Sequence, residues 1–258
     1  MSVRWQARAF VLLLAVLGAG ALRARAESLD FPASSDFDIL DGQGASVVGH
    51  GRYDFTSTGP TSYRLHGENH FRNGDYDIEE DRIESGASGE LATVTSYRHD
   101  YFDHAGALQR TAQADFRAGE GSCVVYEGGR LRPTRAKFEF PRDTYSGSTV
   151  LIPLTHHLRR GFHGPIVFHN FNCVPGPRLL SVKAYPPRRA VWKHYPGQLV
   201  EVRIKPELGW LGMLIGPFIP KMDAWFEPAR DWAYVGGKAG RFYRGPEIIL
   251  VRSADKAH

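Results

Sequence analysis

The chain is 258 residues long, 42% hydrophobic and 12% aromatic, with 28 glycines and 16 prolines, which is enough apolar material for one sizeable core and too many breakers for a helical one. Its formal charge of +4 comes from the N-terminus: residues 1–26 hold Arg4, Arg8, Arg23 and Arg25 and no acid, so the 32 basic residues fall to 28 beyond that point, against 28 acidic ones. This balance removes the electrostatic basis for nucleic-acid binding, and no nucleic-acid partner is expected.

Residues 1–26 have the three-part layout of a secretory signal: Arg4 and Arg8, an uncharged run over 9–22, and Ala24-Arg25-Ala26 as an A-x-A cleavage site. The run is shorter than the roughly 20 residues that a membrane-spanning helix needs. The expected mature chain therefore begins at Glu27, in the periplasm or outside the cell. Residues 27–44 read as an extended, polar lead-in with Phe31, Phe37 and Ile39 as tethers. From Ala45 a period-2 pattern begins, and residues 45–252 are expected to form a single antiparallel β domain with a frayed tail at 253–258.

Within that domain, Tyr63, Leu65, Gly67, Asn69 and Phe71 alternate with Arg64, His66, Glu68, His70 and Arg72, so one face is mostly apolar and the other charged. His66, Glu68 and His70 point the same way at metal-ligand spacing, but on the face assigned to solvent. Asn73-Gly74 marks a hairpin, and Asp75 to Ile78 resumes the alternation. Strands are predicted over 90–102, 108–117, 123–127 and 136–140. The acids Glu79-Glu80-Asp81 read as a solvated turn or edge, and His99 to His104 as a polar strand end running into a turn. The basic clusters at 130–137 and at Arg188-Arg189 read as turn and edge charges that discourage sheet-to-sheet association.

Residues 148–161 are the best helical candidate in the mature chain. Ser148 or Thr149 can cap it, Leu151, Leu154 and Leu158 form an apolar stripe, Pro153 fits the first turn, and Gly161 can end it, which places the regular part at 153–160. So short a helix needs a sheet to lie on. His156, His157, His163 and His169 make the densest cluster of ligand-type side chains, but neighbours on a helix point about 100° apart and the spacing matches no zinc motif. No metal and no cofactor are assigned.

Strands follow at 165–169, 179–185, 198–205, 222–226 and 247–252, with 236–240 as a late hairpin turn. Residues 208–220 carry no charge and are rich in Gly and Pro. Trp210, Leu211, Met213, Leu214 and Phe218, with Trp225, are the candidate ligand-binding residues, lining or gating an apolar cavity; the competing reading is a buried connection. Cys123 and Cys173 are the only cysteines. In an exported chain an even count suggests a disulfide, with two buried thiols as the alternative. No G-x-S-x-G, H-E-x-x-H, Walker A or Rossmann pattern occurs.

The fold class expected is mainly β: a curved antiparallel sheet forming a β-roll or spiral half-barrel around one short central helix. Pro153-Leu154-Thr155-His156-His157, Gly161, the strand from Gly164 to His169, and Trp225-Phe226 to Ile248-Ile249-Leu250-Val251 resemble exported bacterial proteins of the domain of unknown function 3108, and are similar in layout to the envelope integrity protein B type. The resemblance spans about Gly49 to Arg252 and implies a periplasmic spiral barrel around a helix, with no catalytic residue to transfer. The function expected is a non-enzymatic cell-envelope protein that binds a lipid or other apolar small molecule, with peripheral membrane contact and an envelope protein partner as further expectations. The alternatives are a metal-dependent periplasmic enzyme and a scaffold with a filled core.

Overall fold

A computed structural model describes residues 33–86, 90–173, 176–207, 221–242 and 245–253. The first eight strands follow one another as antiparallel hairpins: β1 (Ser34–Asp41), β2 (Val47–Ser57), β3 (Ser62–Phe71), β4 (Tyr76–Glu84), β5 (Thr93–Phe102), β6 (Leu108–Asp115), β7 (Glu120–Glu127) and β8 (Arg130–Lys137). The short β9 (Thr144–Tyr145) leads through a 3-10 turn at Gly147–Val150 into α1 (Leu151–Arg159). Then come β10 (Ile166–Cys173), β11 (Pro177–Ala184), β12 (Arg188–Trp192), β13 (Tyr195–Pro206), β14 (Met222–Glu227), β15 (Ala233–Gly240) and β16 (Glu247–Arg252).

These strands form one large curved sheet that does not close, in the order 8-7-6-5-4-3-2-1-16-15-14-13-11-10-9, with β12 folded onto β13. The pairing of β1 with β16, from Phe37 opposite Arg252 to Asp41 opposite Ile248, joins the two halves of the chain. Every pair is antiparallel except β9 with β10. The sheet rolls until its ends overlap, and there Cys123 of β7 is bonded to Cys173 of β10. The disulfide and an aromatic group around Phe171, with Phe138 and Phe140 in edge-on or tilted contact, hold the overlap.

The helix fills the inner side. Ile152, Leu154 and Leu158 pack against Ile83, Val94, Phe168, Val202, Ile204, Ala224 and Phe226 in the main core. Pro153 stands in the first turn, where its missing N–H costs nothing, and Ser146 with Thr149 forms a reciprocal cap on the 3-10 turn. A second cluster lies on the opposite face of β13 to β16, where Trp192 stacks on Trp225 with centroids 4.3 Å apart among Leu199, Val235, Ile249 and Val251. β12 thus covers a sheet face that would otherwise be wet.

Several elements differ from the sequence reading. The helix begins at Leu151 rather than Pro153, because the 3-10 turn feeds it directly. Part of the expected lead-in is strand β1, whose Phe37 and Ile39 are buried. The basic run at 130–137 is itself edge strand β8, and the strand expected at 136–140 shifts back accordingly. The glycine-rich stretch 236–240 is not a turn but the second half of β15: a Cβ on Gly236 would stand 2.5 Å from the Trp192 ring, so the missing side chain is what admits the tryptophan stack.

The disulfide closes a loop of 50 residues, for which chain entropy gives about 4 kcal/mol. Replacing both cysteines by Ala is expected to lower the unfolding free energy in urea by an amount of that order; a loss under about 1 kcal/mol would mean that the aromatic overlap holds without it.

Candidate functional site

The inner face of β4 carries Asp77, Glu79, Asp81 and Ile83 at successive inward positions, and the three acids are only 2%, 2% and 0% exposed. Hairpin register surrounds each with side chains of the same face. Asp77 lies between Asn69 and Tyr101, Glu79 between Gly67 and His99, and Asp81 between Leu65 and Tyr97. Three acids in a row inside a roll are costly unless they are paired or protonated.

Each is handled differently. Asp77 accepts from Asn69 Nδ2 at 2.8 Å, from His99 Nε2 at 3.1 Å and from Arg241 Nε at 3.2 Å. Burial pushes its carboxyl up, but the bond from His99, the His99 charge, Asn69 and Arg241 together leave it below its ordinary value. Glu79 accepts from the backbone N–H of Ser148 at 2.6 Å and from its hydroxyl at 2.9 Å, so it holds the start of the 3-10 turn that leads into α1. Gly147 stands at φ +50, and a Cβ there would lie 2.2 Å from Glu79 Oε1, so this approach requires glycine. Asp81 has no hydrogen-bond partner for either oxygen among the described residues. Burial first, then the charge of Glu79, push its carboxyl well above the usual range, which favours the protonated form.

His99 connects the row. Tyr101 has a single hydroxyl proton and donates it to the Arg241 carbonyl at 3.2 Å, so its oxygen, 3.2 Å from His99 Nδ1, is left as an acceptor. With Nε2 3.1 Å from Asp77, a doubly protonated ring satisfies both contacts. Burial alone would lower the pKa of His99, but the bond to Asp77 and the nearby acids raise it above its ordinary value, in agreement with that pattern. Arg241, whose guanidinium lies 3.7 Å over the Phe71 ring and also reaches Asp75, caps this end of the roll. The arrangement clamps β3, β4, β5, the 3-10 turn and the corner after β15 to one another.

The sequence reading placed Glu79 to Asp81 at a solvated edge. Only Glu80 faces outward, where it accepts from Arg64 at 2.6 Å; its two neighbours are buried. His66, Glu68 and His70 do lie on the outer face, in contacts with one another and with Glu80. His156 and His157 meet edge-on, His163 is exposed after the helix, and His169 binds Asp143 at 2.9 Å. Among the described residues, no group of three or more His, Cys, Asp or Glu is arranged to hold a metal ion. Trp225 is buried on the outer face against Trp192, whereas Trp210, Leu211, Met213, Leu214 and Phe218 lie outside the described residues. A surface cleft of about 450 Å³ near the start of β5 is lined by Glu84, Glu90, Val94, Phe116, Arg117 and Phe140, among others.

No protein-family model matches the chain, and no curated protein matches it. Among solved structures it is similar to the crystal structure of a β-barrel-like protein of the domain of unknown function DUF1849 from Brucella abortus, at 10% identity and a TM-score of 0.45, over 85% of this chain and 94% of that one.

The buried row sets a pH dependence. Asp81 titrates well above the ordinary carboxylate value of 3.8 in the fold, so its contribution is complete below about pH 4 and declines as pH rises towards the folded value. His99 acts in the same sense from the ordinary histidine value of 6.5 upward, whereas the contribution of Asp77 is lost as pH falls below 3.8. Thermal melts are expected to show falling stability from mildly acid to alkaline pH, and Asp81→Asn should flatten that slope and raise Tm at pH 8. An unchanged slope in the variant would show that Asp81 is ionised in the fold. Glu79→Gln, which weakens the hold on Ser148, should cost about 1–3 kcal/mol in urea unfolding.

Proposed function

We propose that this chain is a non-enzymatic exported protein of the cell envelope, periplasmic, that binds a lipid or other apolar ligand through the charge-free segment 208–220. The observation that supports the reading is where that segment is rooted. β13 and β14 pair as neighbours up to Ile204 opposite Met222, and their inward residues Val202, Ile204 and Ala224 belong to the main core. An uncharged stretch containing Trp210, Leu211, Met213, Leu214 and Phe218 thus leaves from and returns to the edge of the apolar interior. Trp225, stacked on Trp192, fixes β14, the strand that follows this segment. The disulfide suits an oxidising compartment, and the signal-like residues 1–26 suit export. The resemblance to the domain of unknown function 3108 and to the envelope integrity protein B type belongs to the same proposal.

A second reading, a scaffold that binds an envelope protein partner, draws on the inner side being occupied by α1 and the buried acids. Organic extraction of protein purified without detergent, followed by mass spectrometry, separates the two. A stoichiometric apolar molecule is expected, and Trp210→Ser with Phe218→Ser should reduce its retention while leaving the melt unchanged. A monodisperse, folded sample with nothing bound would favour the scaffold, and unfolding of the double variant would make both side chains part of the core.

A further inference from the structure

We infer that the tip of the β7–β8 hairpin is a contact surface for an anionic phospholipid bilayer. Five large hydrophobic side chains stand well exposed among the described residues: Tyr126, Leu131, Val167, Tyr185 and Val191. Only two of the five are cross-strand partners, Tyr126 at 47% and Leu131 at 44% exposure, opposite each other beside the Gly128-Gly129 turn. The next pair on that face is Val124 with Pro133, so the tip presents a block of four apolar side chains. Isolated exposed apolar residues are ordinary, but a registered block at a hairpin end is a patch.

The charges around the block have one dominant sign. β8 carries Arg130, Arg132, Arg135 and Lys137 and no acid; Arg130, Arg135 and Lys137 are accompanied on β7 by Glu127, Ser122 and Glu120 respectively. Glu127 approaches Arg132 only to 4.0 Å. Tyrosine and leucine at the headgroup level, with flexible guanidinium groups reaching phosphates, are the side chains that an interfacial element uses. β8 is also a free sheet edge, but Pro133 removes a backbone donor and the long cations crowd it, which disfavours addition of a peptide strand. A second copy of this edge would set cation against cation.

The test is co-sedimentation of the purified protein with vesicles of phosphatidylglycerol and phosphatidylcholine, against pure phosphatidylcholine, at low and high salt. Binding to the anionic vesicles that weakens with salt is expected, and Tyr126→Ser with Leu131→Ser, or Arg130→Gln with Arg135→Gln, should each reduce it about tenfold or more. Both variants alter exposed positions and should melt like the parent. No binding to anionic vesicles, or binding that neither variant changes, overturns the inference. Neither variant should alter the amount of apolar molecule recovered by extraction, so the outcome is independent of the ligand reading.

Discussion

The bond from Ser148 to Glu79 is the contact on which the arrangement of the molecule turns. A helix of nine residues cannot hold itself together in water, and here its leading turn is tied by a buried carboxylate to the middle strand of the first half-sheet. The same strand carries Asp77, which gathers Asn69, His99 and Arg241. Two of the three inward acids, which would otherwise oppose folding, are thereby made into links between the sheet, the helix and the corner after β15. Burial raises the strength of each such bond along with the penalty for leaving one unmade, so the row specifies one geometry rather than adding generic stability.

The rolled sheet solves a different problem. Sheets of this size twist, and an open one must either close or protect its edges. This one overlaps its ends and bonds Cys123 to Cys173 across the overlap, while Phe171 fills the space between them. The edge left at β8 is charged and interrupted by Pro133, and the other edge is a strand of two residues. β12 folds back over β13 so that Trp192 and Trp225 bury each other.

Much of this was legible in the residues. The alternation on β3, the Asn73-Gly74 hairpin, β16 and the helical stripe gave the fold class, because each is a local pattern that tertiary packing reinforced. The acidic row was hidden for an equally physical reason. On β4, Tyr76 and Ile78 suggest an apolar face opposite to the one actually buried, so alternation alone points the acids outward. The register set by the preceding hairpin places Asp77 beside Asn69 and Glu79 beside Gly67, and that pairing prevails. Combining the inward parity of β3 with the hairpin turn could have revealed it. The glycines of β15 imitate a turn in the sequence, whereas Gly236 makes room for the Trp192 ring of β12, three strands earlier in the chain.

The union of β1 with β16 constrains the order in which the chain can become native. The two strands sit side by side in the middle of the sheet, yet they are separated by nearly the whole described sequence. A polypeptide emerging from its N-terminus can assemble the first eight strands as successive hairpins, but β1 keeps an open flank until the last strand arrives. The final hydrogen bonds to form are thus central ones, and a nascent chain leaves the flank of β1 open to chaperone capture until β16 has emerged.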